Sequence, residues 1–524
     1  MDRSDKWNCL FPAVILGICF IHFFGFIFGI KVDQPLYGVS VDTEKPTATW
    51  EGILSGSYQE TYQNWFAEHI PFRSYGIKGH AQWMTTFCAP VNGIEIGRNK
   101  NLYEEYFTQA TLEGGTDGQV LQQYIEDLVV IDQALKQEKK WFVYLISPSK
   151  AEVYPEDLPW NKRLLWKQSD NPAWIRKALS TALADKGLPF LDFTDFIKQL
   201  KEEGEYPAFY KTGIHWSPYA VAKASLFLCD YFNQTFGLCL PEMEPRFTRR
   251  EEPQFDEEDI KKITNAFWLP FDQTYCLAEL LLKQGVPQNR IFAVSTSFTH
   301  GMLSVFAQNK MPFASIWRTQ YSQFQDKLYY NEEGTVVWEG FLPGCSFAEL
   351  NYADIFYGSD MVWVESNAPE IPESHIQFAS EFAAYIQRNA YIADYIEELY
   401  QREDIAVIIT SNNYSELLLN SKQKEAIALF GLPSLEENET LVGIWENQTF
   451  QLMEEDSFSG RLGTEPYTIS RSKNQGKRQT VITYNEQQYT SDIGGLNFFV
   501  YDKKENQVVD WVIFDLNNSA KIYR

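Results

Sequence analysis

RIFAVSTSFTHGML, Arg290 to Leu303, is the stretch on which the fold of this chain turns. An apolar run, Ile291 to Val294, meets the small residues Ser295, Thr296 and Ser297, and then Met302, Leu303 and Phe306 recur at helical spacing. Strand, tight turn and helix in that order are how an α/β sheet presents a nucleophilic Ser, with helix N-terminal N–H groups facing a developing oxyanion. A plainer reading stands beside it, since Ser295 or Thr296 would also cap a helix. A nucleophile needs a base within hydrogen-bond reach, and the upstream loop KTGIHWS, Lys211 to Ser217, offers His215. His300 lies further along the helix and is the poorer base. Gly213, two residues before His215, stands where an orienting carboxylate would serve best.

Working outward, WFVYLISPSK (Trp141 to Lys150) reads as a buried strand ending in a Ser-Pro loop, preceded by a helix over 119–136. A helix over Ala173–Lys186, a strand over Pro189–Leu191 and a helix over 218–236 repeat the unit. Another helix leads into RIFAV, and MVWVESNAPEI, Met361 to Ile371, is a further strand with Glu365 at its end. The alternation predicts an α/β fold, a doubly wound parallel sheet covered on both faces over 58–388, with ligands beyond the carboxyl ends of its strands. The stretch 240–270 reads as polar and irregular. A long helix, Ala379 to Gln401, closes this region. Beyond it IAVIIT, LVGIW, QTVITY, LNFFVYD and QVVDWVIFDL predict a separate, mainly β domain over 404–524, with one helix near Lys422–Phe430.

At 524 residues the chain exceeds one core, and 44% hydrophobic with 16% aromatic residues argues against disorder. A net charge of −25 disfavours nucleic acid as a partner, and an acidic polymer would need a basic groove that the sequence does not display. The Cys residues show no C-x-x-C and no Cys/His spacing for zinc, so neither a metal nor another cofactor is expected. Leu10 to Ile30 is apolar except for His22 and long enough to span a bilayer, with Arg3 and Lys6 before it. Residues 1–30 are therefore expected to form a cytoplasmic tip and a single transmembrane anchor, 31–57 a linker, and the remainder an extracytoplasmic ectodomain at the cell membrane.

Several landmarks, in order, carry a resemblance. HIPFRSYG, NGIEIGRNKNLYEEY, ISPSKAEVYPEDLP (Ile146 to Pro159), KTGIHWS, VSTSF and SDMVWVES resemble motifs of the SGNH-hydrolase-like alginate O-acetyltransferases of the AlgX/AlgJ kind. The resemblance implies an SGNH-like fold, Ser297 as nucleophile and His215 as base, with Lys150, Trp216 and Glu365 binding substrate. It also implies a polysaccharide substrate and a multi-pass membrane O-acyltransferase as acetyl donor. Two positions depart from the pattern: Gly213 replaces the Asp that orients the base, and Ser295 replaces a Gly of the turn. Asp192 and Glu365 are the acids considered for the vacant role. GGLNFFVYDKKENQVVDWVIFDL, Gly494 to Leu516, resembles the interleukin-like EMT inducer domain, with DIAVIITSNNYSELLLNSKQKEAIALFGL preceding rather than following it; that resemblance implies a carbohydrate-binding role.

The expectation is a membrane-anchored O-acetyltransferase acting on polysaccharide hydroxyls through a Ser-acyl intermediate. A catalytically impaired glycan-binding scaffold, favoured by Gly213, and a carbohydrate acetylesterase using the same Ser and His are the alternatives.

Overall fold

The computed structural model describes residues 3–30, 34–38, 44–114, 116–169, 171–308, 310–373, 375–412, 419, 421–432, 441–453, 457–474, 477–491, 495–515 and 521–523. The centre of the chain is a seven-stranded sheet of β1 (Trp141–Ser147), β2 (Phe190–Asp192), β3 (Arg290–Ser295), β4 (Ser315–Gln320), β5 (Phe324–Tyr330), β6 (Val336–Pro343) and β7 (Met361–Asn367). Their order across the sheet is β6-β5-β4-β3-β7-β1-β2. The five strands from β4 to β2 are parallel, and β5 and β6 extend the β4 edge antiparallel.

The near-continuous apolar runs of β1, β3 and β7 follow from burial on both faces. Phe142, Tyr144 and Ile146 point to one side, where they meet α1 (Gly118–Gln137) and α2 (Trp174–Asp185). Val143 and Leu145 point to the other, where α3 (Pro218–Phe236) covers the sheet. Burying such side chains contributes roughly 1.5–3 kcal/mol each. The parallel sheet is as expected. Three edge strands, β4 to β6, were not legible because polar residues interrupt their apolar pattern.

Two expectations fail here for physical reasons. The segment before β3 is a strand, Tyr275–Gln284, and not a helix; it pairs antiparallel with Glu242–Arg250, Arg246 opposite Glu279. Cys276, Ala278 and Leu280 alternate inward against α3, but Leu277 and Leu281 on the other parity hide the period of two. The same pairing gives order to the supposedly irregular 240–270 stretch. It ends in a short helix, α4 (Asp259–Ile263), beside the His215 loop.

The helix α5 (Phe298–Gln308) follows β3 directly. The long α6 (Ile376–Gln401) then packs on the parallel sheet through Phe378 and Phe382 and on the C-terminal domain through Tyr395 and Ile396, so one apolar core spans both. That domain has a six-stranded sheet centred on Ile405–Asn412 and Gly495–Asp502 and a four-stranded sheet over Ser457–Ser491. Val407 and Ile409 face α6, and Ala406 and Ile408 face the second sheet.

The transmembrane helix expected over Leu10–Ile30 is not found as such. Most of that stretch lies in a helix, Arg3–Ile27, whose first side chains, through residue 11, are outside those described. Among the described residues no helix is long and apolar enough to cross a membrane. Val14, Leu16, Phe20 and Phe23 on this helix are exposed.

Candidate active site

Ser297 sits where β3 gives way to α5, at the carboxyl edge of the parallel sheet. The turn that carries it is held from two sides. From below, the buried Glu365 of β7 accepts the Thr296 N–H (2.9 Å) and the hydroxyls of Thr296 (2.8 Å) and Thr299 (3.1 Å). From the β4 side, the fully buried Arg318 donates to Ser295 Oγ (2.6 Å) and the Thr296 carbonyl (2.7 Å), and pairs with Asp326 (2.6 Å). Ser295, where the resembling family has Gly, therefore has a local purpose: its hydroxyl receives the Arg318 Nε–H.

His215 comes from a loop closed by the Phe209–Trp216 bridge and by Ser217 N–H on the Ala208 carbonyl. Trp216 is buried against Phe193 and Phe298, and Ser217 caps α3, so the residues after His215 are fixed by packing. The residues before it are fixed by Lys150. This buried side chain donates to the carbonyls of Leu102 (2.9 Å), Tyr210 (2.7 Å), Lys211 (3.1 Å) and Gly213 (3.0 Å). Burial pushes the Lys150 ammonium down to about 7, against the pull of Asp259 and Asp157.

The imidazole joins two elements. His215 Nε2 lies 2.8 Å from Ser297 Oγ, and His215 Nδ1 lies 2.8 Å from Asp259 Oδ2. A carboxylate only accepts, so Nδ1 carries the proton and Nε2 is left to accept the Ser297 hydroxyl. Asp259 opens α4, 44 residues beyond His215, and is itself fixed: its Oδ1 accepts the N–H groups of Ile214 (3.1 Å) and Ile260 (2.7 Å). Gly213 lies against the segment that carries Asp259. A Cβ there would stand 3.4 Å from Asp259 Oδ1 and 3.2 Å from the Glu257 carbonyl. The carboxylate missing at 213 is delivered through space from 259.

The acids considered earlier are placed elsewhere. Asp192 pairs with Arg176 (2.5 Å) and accepts the Thr194 N–H, and Glu365 lies beneath the Ser297 turn rather than beyond the imidazole. Of the residues expected to bind substrate, Trp216 lines a cavity beside Ser297, while Lys150 and Glu365 are buried with their polar atoms turned to this chain's own loops. Sequence reading missed Asp259, Arg318 and two further neighbours, Tyr321 and Glu370. Tyr321 Oη donates to Glu370 Oε2 (2.9 Å), and burial pushes the Glu370 carboxyl up to about 7, with Glu365 and Glu104 adding to the rise. Tyr321 and Ser322 both adopt positive φ, 49° and 55°, a costly backbone for such residues that holds the phenol toward the turn. The one signal for Asp259 was an acidic run, Asp256 to Asp259, well downstream of the His loop.

Residues 96–266, a third of the chain, match the family model described as SGNH hydrolase-like domain, acetyltransferase AlgX. The match contains His215 and Asp259 and stops short of Ser297. No curated protein matches the chain. Among solved structures it is similar to the O-acetyltransferase domain of Pseudomonas putida AlgJ, at 15% identity and a TM-score of 0.35 over 54% of this chain and 98% of that one. It is also similar to Pseudomonas aeruginosa AlgX, at 13% and 0.36 over 61% and 77%, and to Bacillus cereus PatB1, at 10% and 0.32 over 49% and 91%. The AlgX/AlgJ-like resemblance read from the motifs therefore stands over residues 96–266. The interleukin-like EMT inducer resemblance of the C-terminal domain finds no support in these comparisons.

Proposed function

We propose that this protein is an O-acetyltransferase that moves an acyl group through Ser297 onto hydroxyls of a polysaccharide. One observation carries the reading: the hydrogen-bonded series Ser297–His215–Asp259 at the carboxyl edge of the sheet, in a domain whose family description is an acetyltransferase. Ser297 Oγ attacks the acyl carbonyl carbon of an ester donor as its proton passes to His215 Nε2, and the donor alcohol leaves with that proton. A sugar hydroxyl then gives its proton to Nε2 and attacks the acyl carbon, and Ser297 Oγ leaves with the proton. Asp259 keeps the imidazole in the needed tautomer and offsets the imidazolium charge. The scaffold alternative drew its support from the missing carboxylate at 213, and Asp259 removes that support.

The motif resemblance to alginate O-acetyltransferases supports an alginate-type polymer, and a multi-pass membrane O-acyltransferase is proposed as the acetyl donor. We further propose that the N-terminal helix attaches the chain to the membrane with the catalytic domain outside. The exposed Cys239 tests that placement: a membrane-impermeant maleimide should label it on intact cells, and labelling only after lysis would reverse the topology. For the activity, the full chain mixed with p-nitrophenyl acetate should gain one acetyl group on Ser297 by intact mass, transferable to an added oligosaccharide. Ser297→Ala should gain none. An adduct that only hydrolyses, with every acceptor tried, would make the protein an esterase.

A further inference from the structure

Beside Ser297 and His215 opens a cavity of about 430 Å³. That is on the scale of sites for drug-sized ligands, about 300–1,000 Å³, and far larger than an acetyl group. Its long wall is one face of α5. Ser297, Gly301, Ser304, Val305 and Gln308 recur at helical spacing along it, so the cavity follows the helix for about 16 Å from the nucleophile, at about 1.5 Å per residue. Val221 of α3 and Leu277 and Ala278 of the strand before β3 line it as well, as do Trp216 and Phe298. Gly301 sets the spacing of the two helices there: a Cβ at 301 would stand 2.9 Å from Val221 Cγ2. The charged groups near His215 are arranged differently. Among the described residues, Glu257 is the one carboxylate in the cavity's walls, and it is taken up by Arg250 and the Gln254 N–H, while Glu104 and Glu370 are not among them. The cavity is thus a mainly apolar slot along α5 and α3, with Gln254, Glu257, His300 and Gln320 as polar members of its lining.

Resting on the acyl-transfer reading above, we propose that this slot holds the acyl chain of the Ser297 ester, and that the enzyme accepts medium-length fatty acyl groups as well as acetyl. An ester or thioester of such an acid acylates Ser297 by the same proton transfers, with its alcohol or thiol as leaving group. The chain lies along α5 toward Gln308. The sugar acceptor approaches Ser297 from outside the slot. Each methylene taken from water into the slot contributes roughly fourfold to the specificity constant.

The test is a chain-length series of p-nitrophenyl esters, acetyl to decanoyl, on the full-length protein, read by release of p-nitrophenol and by intact mass of the acyl-Ser297 adduct. The expected result is an octanoyl-to-acetyl ratio of kcat/KM above about ten. Ser304→Phe, which fills the middle of the slot, should lower that ratio at least tenfold, and Ser304→Leu should lower it less. A profile that falls steadily beyond acetyl, with the acetyl adduct still formed, overturns the slot and leaves the transferase reading intact. A ratio unmoved by Ser304→Phe, with weaker oligosaccharide acceptance instead, makes the cavity an acceptor site and also overturns it. No adduct from any ester overturns both readings together.

Discussion

The nucleophile turn and the base loop meet at one hydrogen bond but are built in opposite ways. Ser297 is held by the sheet itself: buried side chains of the two neighbouring strands, Arg318 and Glu365, grip the turn's hydroxyls and main chain. His215 is held by irregular chain. Its loop hangs on the Lys150 side chain through the carbonyls of Tyr210, Lys211 and Gly213, and its orientation depends on Asp259, which belongs to a short helix packed beside it. A side chain gripped by a sheet core fails only when the core fails. One gripped by a docked segment can lose its chemistry while the core survives.

The largest expected effect breaks the base loop's dependence on Asp259. Asp259→Asn keeps the shape but no longer holds the Nδ1–H tautomer, so kcat for acyl transfer should fall by about 10⁴. The urea midpoint should move little, because the carboxylate is part-exposed and sits outside the core. A loss below about tenfold would mean that another group orients His215. The comparison sharpens further with the exchange Gly213→Asp in an Asp259→Gly background. That places the acid where the resembling family has it and vacates the space it needs, and on the order of tenfold of the lost rate should return. No recovery would show that the crowding by the Glu257 carbonyl keeps an acid at 213 from the imidazole.

Breaking the nucleophile side should read out as stability. Arg318 has no exposed surface and serves Ser295, Thr296, Gln320 and Asp326 with one planar fork. Arg318→Lys cannot reproduce that fork and leaves a buried carboxylate poorly paired, at a cost of about 3–5 kcal/mol. Urea unfolding of the α/β domain, followed by tryptophan fluorescence, should show the shift. An unchanged midpoint would mean that the grip on the turn is dispensable.

This contrast also explains what could be read from the sequence. The Ser297 turn is local: strand, small residues and helix follow one another within Arg290–Leu303, and the period of each element survives in the residues. Ser297 could be singled out as a candidate for that reason, and the parallel sheet behind it was legible as well. Asp259 was not, since nothing in the residues near Gly213 says that a helix 44 positions away will fill the gap. The pairing that delivers it, Glu242–Arg250 with Tyr275–Gln284, was hidden by leucines on both parities of the second strand. Lys150 and Glu365 were expected to bind substrate, whereas burial turns the polar atoms of both toward the protein's own loops.

The smallest expected effect tests the face where the two regions share a titrating group. Burial raises the Glu370 carboxyl from its ordinary 4.5 to about 7; Glu365 and Glu104 add to the rise, while the Tyr321 hydrogen bond and His215 oppose it. The fold therefore favours neutral Glu370. Its contribution is fully present below about pH 4.5 and is lost as pH rises through about 7. Wild-type protein should thus lose unfolding midpoint between pH 5 and pH 8 relative to Glu370→Gln, which stays neutral throughout and retains an oxygen for the Tyr321 hydroxyl. The difference between the two curves, not either slope alone, carries the information, because every other titrating group is common to both. Parallel curves would mean that Glu370 ionises near its ordinary value, with Tyr321 then hydrogen-bonded to a carboxylate already charged at pH 5.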